Sequence, residues 1–263
     1  MAKKDEDGRI YTIASRSAGP TAIFLLMLVI WHVAVITLEI PEPILPTPWK
    51  IITTIFTHWE LLLIHSWPTT SECLMGFFLA VVIGMGLGTL LALYPVFHNT
   101  VYPLIVAFQV VPKVALAPLF IVWFGLGTLN RVLLAFVIAF FPMVVNTYAG
   151  ILSTDPLMVR MAHAFNASRW TVFLKIEFPN ALPSIFSGLK IGITFAVIGI
   201  IVAEIVTAQR GLGYLIVFAE GNVDTPMLMA ALTVLSLVGM LLYAAVAAAE
   251  KLVITWDHGQ KLN

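Results

Sequence analysis

Few residues in this chain could do chemistry, and they stand far apart. Lys113 follows Pro112 inside a run otherwise free of charge, and Gln109 lies one helical turn earlier, so the two can share a face. A lysine at bilayer depth is costly and faces a water-filled cavity or a bundle interior, unless it marks a broken helix near an interface and snorkels to the headgroups. Both placements remain open for Lys113, and the same two exist for Glu204. The two could pair across a helix bundle. Gln109, Lys113 and Glu204 are thus the candidates to line a path for a polar solute. Nothing supports covalent chemistry: the six histidines, His32, His58, His65, His98, His163 and His258, are scattered with no H-E-x-x-H spacing. Cys73 is the one cysteine, so it cannot form an internal disulfide and reads as a small buried hydrophobe. No GxxxxGK[ST] loop occurs, so the chain has no phosphate cradle of its own. Gly84-x-Gly86-x-Gly88 follows no strand and sits in an apolar run, which makes it a helix-packing signal.

The elements that hold these residues are helices in lipid. Of 263 residues, 60% are apolar and only 11% charged, against about 25% in a soluble domain. The mean hydropathy is +0.99. The 14 basic and 14 acidic residues cancel, leaving no basic field for nucleic acid. A spanning helix needs about 20 apolar residues, and the uncharged intervals yield six: roughly 18–39, 70–94, 100–126, 131–151, 184–208 and 227–250. The fold class is therefore an all-α polytopic membrane protein with about six transmembrane helices. Tyr94 to Asn99 is expected to be a short turn between the second and third spans. Residues 48–67 suit one amphipathic helix at the outer interface. The first apolar run is longer than a signal-peptide core and reads as a retained anchor. Residues 1–17 form an N-terminal tail and 18–263 one transmembrane domain.

Basic residues set the orientation. Lys3, Lys4, Arg9 and Arg16 precede the first span, Arg160, Arg169, Lys175 and Lys190 lie in or beside the loop between the fourth and fifth, and Lys251 and Lys261 follow the sixth. Only Lys50, Arg131 and Arg210 stand opposite. Both termini and the 152–183 loop are thus expected in the cytoplasm.

That loop holds the most information. Asp155-Pro156 is a helix start, with an N-cap carboxylate and a proline in the first turn. Leu157, Met158, Met161, Ala162 and Phe165 fall on one apolar stripe, with Arg160 and His163 off it. Asn166 ends the helix by adopting the left-handed cap conformation. Ser168 caps a second helix, Arg169 to Phe178, which Pro179 is expected to break, and Pro183 is expected to open the fifth span. An apolar stripe on the solvent side can seat in a groove on another protein.

This stretch resembles the EAA loop of permease subunits of ABC importers: E-A-A, three residues, G, about nine residues, then I-x-L-P. The matching positions are Arg160, Met161 and Ala162, then Asn166, then Ile176, Glu177, Phe178 and Pro179. Arg160 replaces the Glu and reverses its charge, Met161 replaces an Ala, and Asn166 replaces the Gly. From about Leu45 onward the chain is similar to the nitrate, taurine and alkanesulfonate group of these permeases, which includes relatives handling pyrimidines and other small aromatics. The matching strings are LPTP at Leu45, VPKVALAPL at Val111, WFGLG at Trp123, FPMVVNT at Phe141, NASR at Asn166, Ala203-Glu204, and GLG at Gly211.

The resemblance implies a type I importer permease fold and a subunit without covalent chemistry. Two identical permeases would form the pore, two separate ABC ATPase subunits would hold ATP and magnesium, and a binding protein would deliver the solute at a bacterial inner membrane. Arg160 to Arg169 would be the coupling helix and its exit, with Phe165, Asn166, Ala167, Ser168, Ile176 and Pro179 completing the contact. ATP hydrolysis would draw the two loops together and turn the cavity outward. The solute would be a sulfonate-, taurine- or nitrate-like anion or a small heteroaromatic such as a pyrimidine. A stand-alone ion-coupled secondary transporter is the alternative, since broken helices and a lone intramembrane lysine suit it too.

Overall fold

A computed structural model describes residues 2–207 and 209–256, with side chains from residue 19 onward. The basic side chains before the first span, as well as Lys261 and His258, therefore lie outside the described residues. Eleven α-helices and no strand occur among the described residues: α1 (Ala2–Thr37), α2 (Pro48–Thr57), α3 (Trp59–Leu93), α4 (Pro95–Val110), α5 (Ala117–Phe124), α6 (Thr128–Leu152), α7 (Pro156–Ala164), α8 (Arg169–Val172), α9 (Phe178–Thr207), α10 (Leu212–Gly221) and α11 (Thr225–Val253). Five are long and apolar enough to cross a membrane, and the bent pair α4–α5 makes a sixth.

The core is a three-helix stack in which α6 packs along both α3 and α9. Lipid supplies no hydrophobic drive between helices, so close backbone approach must hold them together. Gly84 and Gly88 of α3 serve that purpose: a Cβ on Gly88 would come within 2.7 Å of the Val144 carbonyl oxygen of α6. Gly188 of α9 meets Asn146 of α6 in the same way, and Gly192 sits in ordinary contact with Met143 and Phe77. Gly86 faces open space and plays no part in packing. Cys73 is buried in this stack among Ala135, Ala139, Ile193 and Ala196, as a small hydrophobe should be. A second cluster joins α2, α10 and α11 through Ile51, Leu212, Leu215, Met227 and Leu235.

Several boundaries differ from the sequence reading, each for a local reason. Residues 48–67 are not one interfacial helix. Thr47 caps α2 by accepting the Lys50 N–H, the chain turns at His58, and residues 59–67 are the first two turns of α3. The expected turn at 94–99 shrinks to Tyr94, because Pro95 occupies the first position of α4, where its fixed φ and missing N–H suit a helix start. His98, Tyr102 and Tyr148 form a three-ring cluster, with His98 5.2 and 5.4 Å from the two tyrosine rings and those 4.8 Å from each other. Pro179 does not break the helix that Ser168 starts. A π-turn over Phe173–Glu177 lets the Phe178 N–H reach the Phe173 carbonyl, five residues back, and opens the ladder ahead of Pro179. Pro183 lies inside α9. Residues 169–207 thus run as one continuous helical span, and the connecting loop is 153–168, shorter than the expected 152–183.

Candidate functional site

The third span is where a helix stops being a rod. The ladder ends at Val110, Pro112 supplies no N–H, Lys113–Leu116 forms one 3-10 turn, and α5 leaves at 88° to α4. Lys113 sits at this elbow. Its Nζ donates to the Gln109 carbonyl oxygen at 3.0 Å and lies 4.5 Å from the centre of the Phe141 ring. No carboxylate pairs with it among the described residues. Gln109 and Lys113 open onto one cleft of about 370 Å3, shared with Ile138, Phe141, Pro142, Val145 and Asn146 of α6 and Phe195 of α9. Phe141, Asn146 and Phe195 were not among the candidates. Phe141 and Phe195 carry no local mark in an apolar helix, Asn146 is a polar residue in one, and only the tertiary packing brings the three beside Lys113.

Glu204 does not join that cleft, and the conceivable ion pair with Lys113 does not form. Its side chain is 1% exposed. One carboxylate oxygen accepts from the Thr69 hydroxyl at 2.7 Å and the other from the Gly213 N–H at 2.7 Å. Thr69 also accepts the Leu212 N–H at 2.8 Å, and His65 Nδ1 accepts the Gly211 N–H at 3.1 Å. Glu204 and Thr69 therefore cap α10, a short apolar helix, with a carboxylate placed where the helix dipole favours it. Gly211 has φ +116°, and a Cβ there would strike the Glu204 carboxylate, so glycine is required on both counts.

A second buried pair closes the same end of the stack. Arg131 donates through Nε to Glu72 Oε2 at 2.5 Å and through a terminal nitrogen to Oε1 at 2.6 Å, and Thr128 donates to Oε1 at 3.1 Å. The two side chains are only 6% and 4% exposed. Glu72 lies within α3 and Arg131 in the first turn of α6, and the two neutralise each other. Lys190 likewise sits inside α9, paired with Glu250 of α11 at 2.9 Å.

At the opposite end α7 is built as the capping chemistry dictates. Asp155 accepts the Leu157 N–H at 2.8 Å. Asn166 has φ +60°, its N–H reaches the His163 carbonyl oxygen, and the Ala167 N–H reaches that of Ala162. This is the Schellman arrangement usually given to glycine. Ser168 accepts the Thr171 N–H. Arg169 is held on the bundle, donating to the Leu93 carbonyl oxygen and lying over the Tyr94 ring. Leu157, Met158, Met161 and Phe165 are 53–84% exposed, and Ala162 is half-buried beside them. Arg160 is exposed and makes no ion pair among the described residues, while Ile176 and Pro179 are half-buried, in the π-turn and the first turn of α9.

A stack of long apolar helices, a span broken at a proline-lysine elbow over a cleft, and a capped loop helix describe a multi-pass helical membrane protein. Residues 74–254 match the family described as binding-protein-dependent transport system inner membrane component, and the chain belongs to it. It is 34% identical over 242 residues to the formylaminopyrimidine transport permease ThiX of Halalkalibacterium halodurans, covering 92% of this chain and 96% of that protein. It is 36% identical over 246 residues to the riboflavin transport system permease RibX of Chloroflexus aurantiacus, covering 91% and 90%. To the taurine transport system permease TauC of Escherichia coli it is 29% identical over 256 residues, covering 93% and 90%. Its fold matches a chain of the inward-facing MetNI methionine ABC transporter at a TM-score of 0.65 and 20% identity, over 75% of this chain and 98% of that one. The chain is therefore an ABC importer permease, embedded in the membrane.

Proposed function

We propose that two copies of this chain form the translocation path of an ATP-driven importer, with solute passing the α4–α5 elbow at Gln109 and Lys113. Two separate ATPase subunits, which bind ATP and magnesium, seat α7, and a solute-binding protein delivers the cargo to the opposite face. Both termini and α7 lie in the cytoplasm. Closure of the ATPase pair draws the two α7 helices together, and α8, continuous with α9 through the π-turn, carries that motion into the path. The solute is a small sulfonate-, taurine- or nitrate-like anion or a small heteroaromatic; the relatives are named for a formylaminopyrimidine, riboflavin and taurine.

The observation that carries this reading is α7 itself. A nine-residue helix fixed at both ends by side-chain and left-handed caps leaves four large apolar side chains uncovered away from the apolar spans. Mild-detergent recovery of the tagged chain from its own membranes tests it, with a Met161→Glu/Phe165→Asp variant beside the parent. Recovery of an ATPase that the variant loses supports the importer. Recovery of this chain alone, with uptake intact, refutes it in favour of ion-coupled transport. Glu204 has its place at the α10 cap and is not part of the proposed path. Lys113→Ala is expected to impair uptake without changing ATPase recovery.

A further inference from the structure

The cleft at the elbow carries a donor and acceptor pattern as well as a charge. Lys113 is a cation with no carboxylate partner among the described residues, held in place by the Gln109 carbonyl and the Phe141 ring. The Gln109 side-chain amide makes no hydrogen bond among the described residues and offers two donors and an acceptor. Asn146 Nδ2 donates to the Pro142 carbonyl oxygen at 2.8 Å. A carbonyl only accepts, so that bond fixes the amide orientation and leaves Asn146 Oδ1 as a free acceptor. The site therefore presents both donors and an acceptor.

The walls are apolar: Ile138, Val145, Pro142 and the faces of Phe141 and Phe195. Phe195 is 39% exposed and also borders an adjoining cavity of about 400 Å3, whose Lys190 is already paired with Glu250. A compact oxoanion carries acceptors only. Its oxygens would take up the N–H groups of Lys113, Gln109 and Asn146, but it has nothing to donate to Asn146 Oδ1 and no face to lay against Phe195. A flat ring with a lactam edge, N–H beside C=O, answers each feature. Its face would lie on Phe195, its oxygen would accept from Lys113 or Gln109, and its N–H would donate to Asn146 Oδ1. A volume near 370 Å3 sits at the small end of ligand pockets, generally about 300–1,000 Å3.

We propose that the elbow cleft is a selectivity site for a small planar heteroaromatic lactam bearing an anionic or polarised oxygen, with Phe195 and Asn146 as its specificity residues alongside Lys113 and Gln109. The proposal rests on the path assignment above and narrows its solute class.

The test uses a cysteine placed on the cleft wall by Val145→Cys, in membranes containing the whole complex. Cys73 is 1% exposed and is not expected to compete for a maleimide. Orotate is the planar probe and methanesulfonate the acceptor-only one. Orotate at about ten times its half-protecting concentration is expected to slow labelling about tenfold, as one-site occupancy requires. Lys113→Met and Phe195→Ala are expected to abolish that protection, and Phe195→Trp to keep it, which separates a lost stacking face from a lost fold. Three results overturn the proposal: equal protection by methanesulfonate, no protection by either probe, or undiminished protection by orotate in Phe195→Ala. ATPase recovery is scored separately on the same membranes. Protection without an ATPase sinks the importer reading alone, and an ATPase without protection sinks this one alone.

Discussion

Breaking the Glu72–Arg131 pair should cost far more than deleting it. Both side chains are nearly fully buried, and the guanidinium grips the carboxylate through two bonds of 2.5 and 2.6 Å. In Arg131→Met, Glu72 keeps only the Thr128 hydroxyl at 3.1 Å. Stranding one buried charge is expected to destabilise by about 3–5 kcal/mol, and Glu72→Met should do the same to Arg131. Replacing both with methionine removes two desolvation costs together with one attraction, so the double variant should fall within about 1 kcal/mol of the parent. Simple additivity would instead give about 6–10 kcal/mol, and a difference that large reports direct coupling. Reversible unfolding in mixed detergent micelles, followed by tryptophan fluorescence, measures all four corners of the cycle. A double variant as unstable as the sum of the singles would refute the reasoning, because the two charges would then be solvated independently.

Three further outcomes follow from the same structure. Glu204→Ala should leave the Gly213 N–H without an acceptor in a buried site and cost about 2–3 kcal/mol, read as lost amide-exchange protection across residues 212–216 with α6 unchanged. Asn166→Gly should keep ATPase recovery at the parent level, whereas Asn166→Val, forced to φ +60°, should cost about 1–2 kcal/mol locally and lower that recovery. Gly88→Ala should lower the thermal midpoint, since its Cβ meets the Val144 carbonyl, while Gly86→Ala, facing open space, should raise stability by about 0.5–1 kcal/mol.

Whatever depends on near neighbours along the chain was legible. The apolar runs located the spans because a helix in lipid must satisfy its own backbone. Asp155, Asn166 and Ser168 announced the ends of α7 and the start of α8, since a cap needs only residues two to five places away. The reading went wrong at prolines. Pro95 and Pro179 look like breakers but stand in a first turn and behind a π-turn, where the missing N–H costs little.

The amino-acid sequence by itself determined a polytopic helical membrane protein with a capped loop helix, and its motifs carried the resemblance to importer permeases. Hydropathy, capping and proline chemistry are properties of short windows. Only the tertiary structure decided that Glu72 meets Arg131 across 59 residues, that Glu204 meets Thr69 across 135 and not Lys113, and that Asn146 and Phe195 complete the cleft. Those meetings depend on how α3, α4, α6 and α9 are rotated against one another. That rotation is set by glycine contacts and side-chain volumes summed along whole helix pairs, which no local window contains.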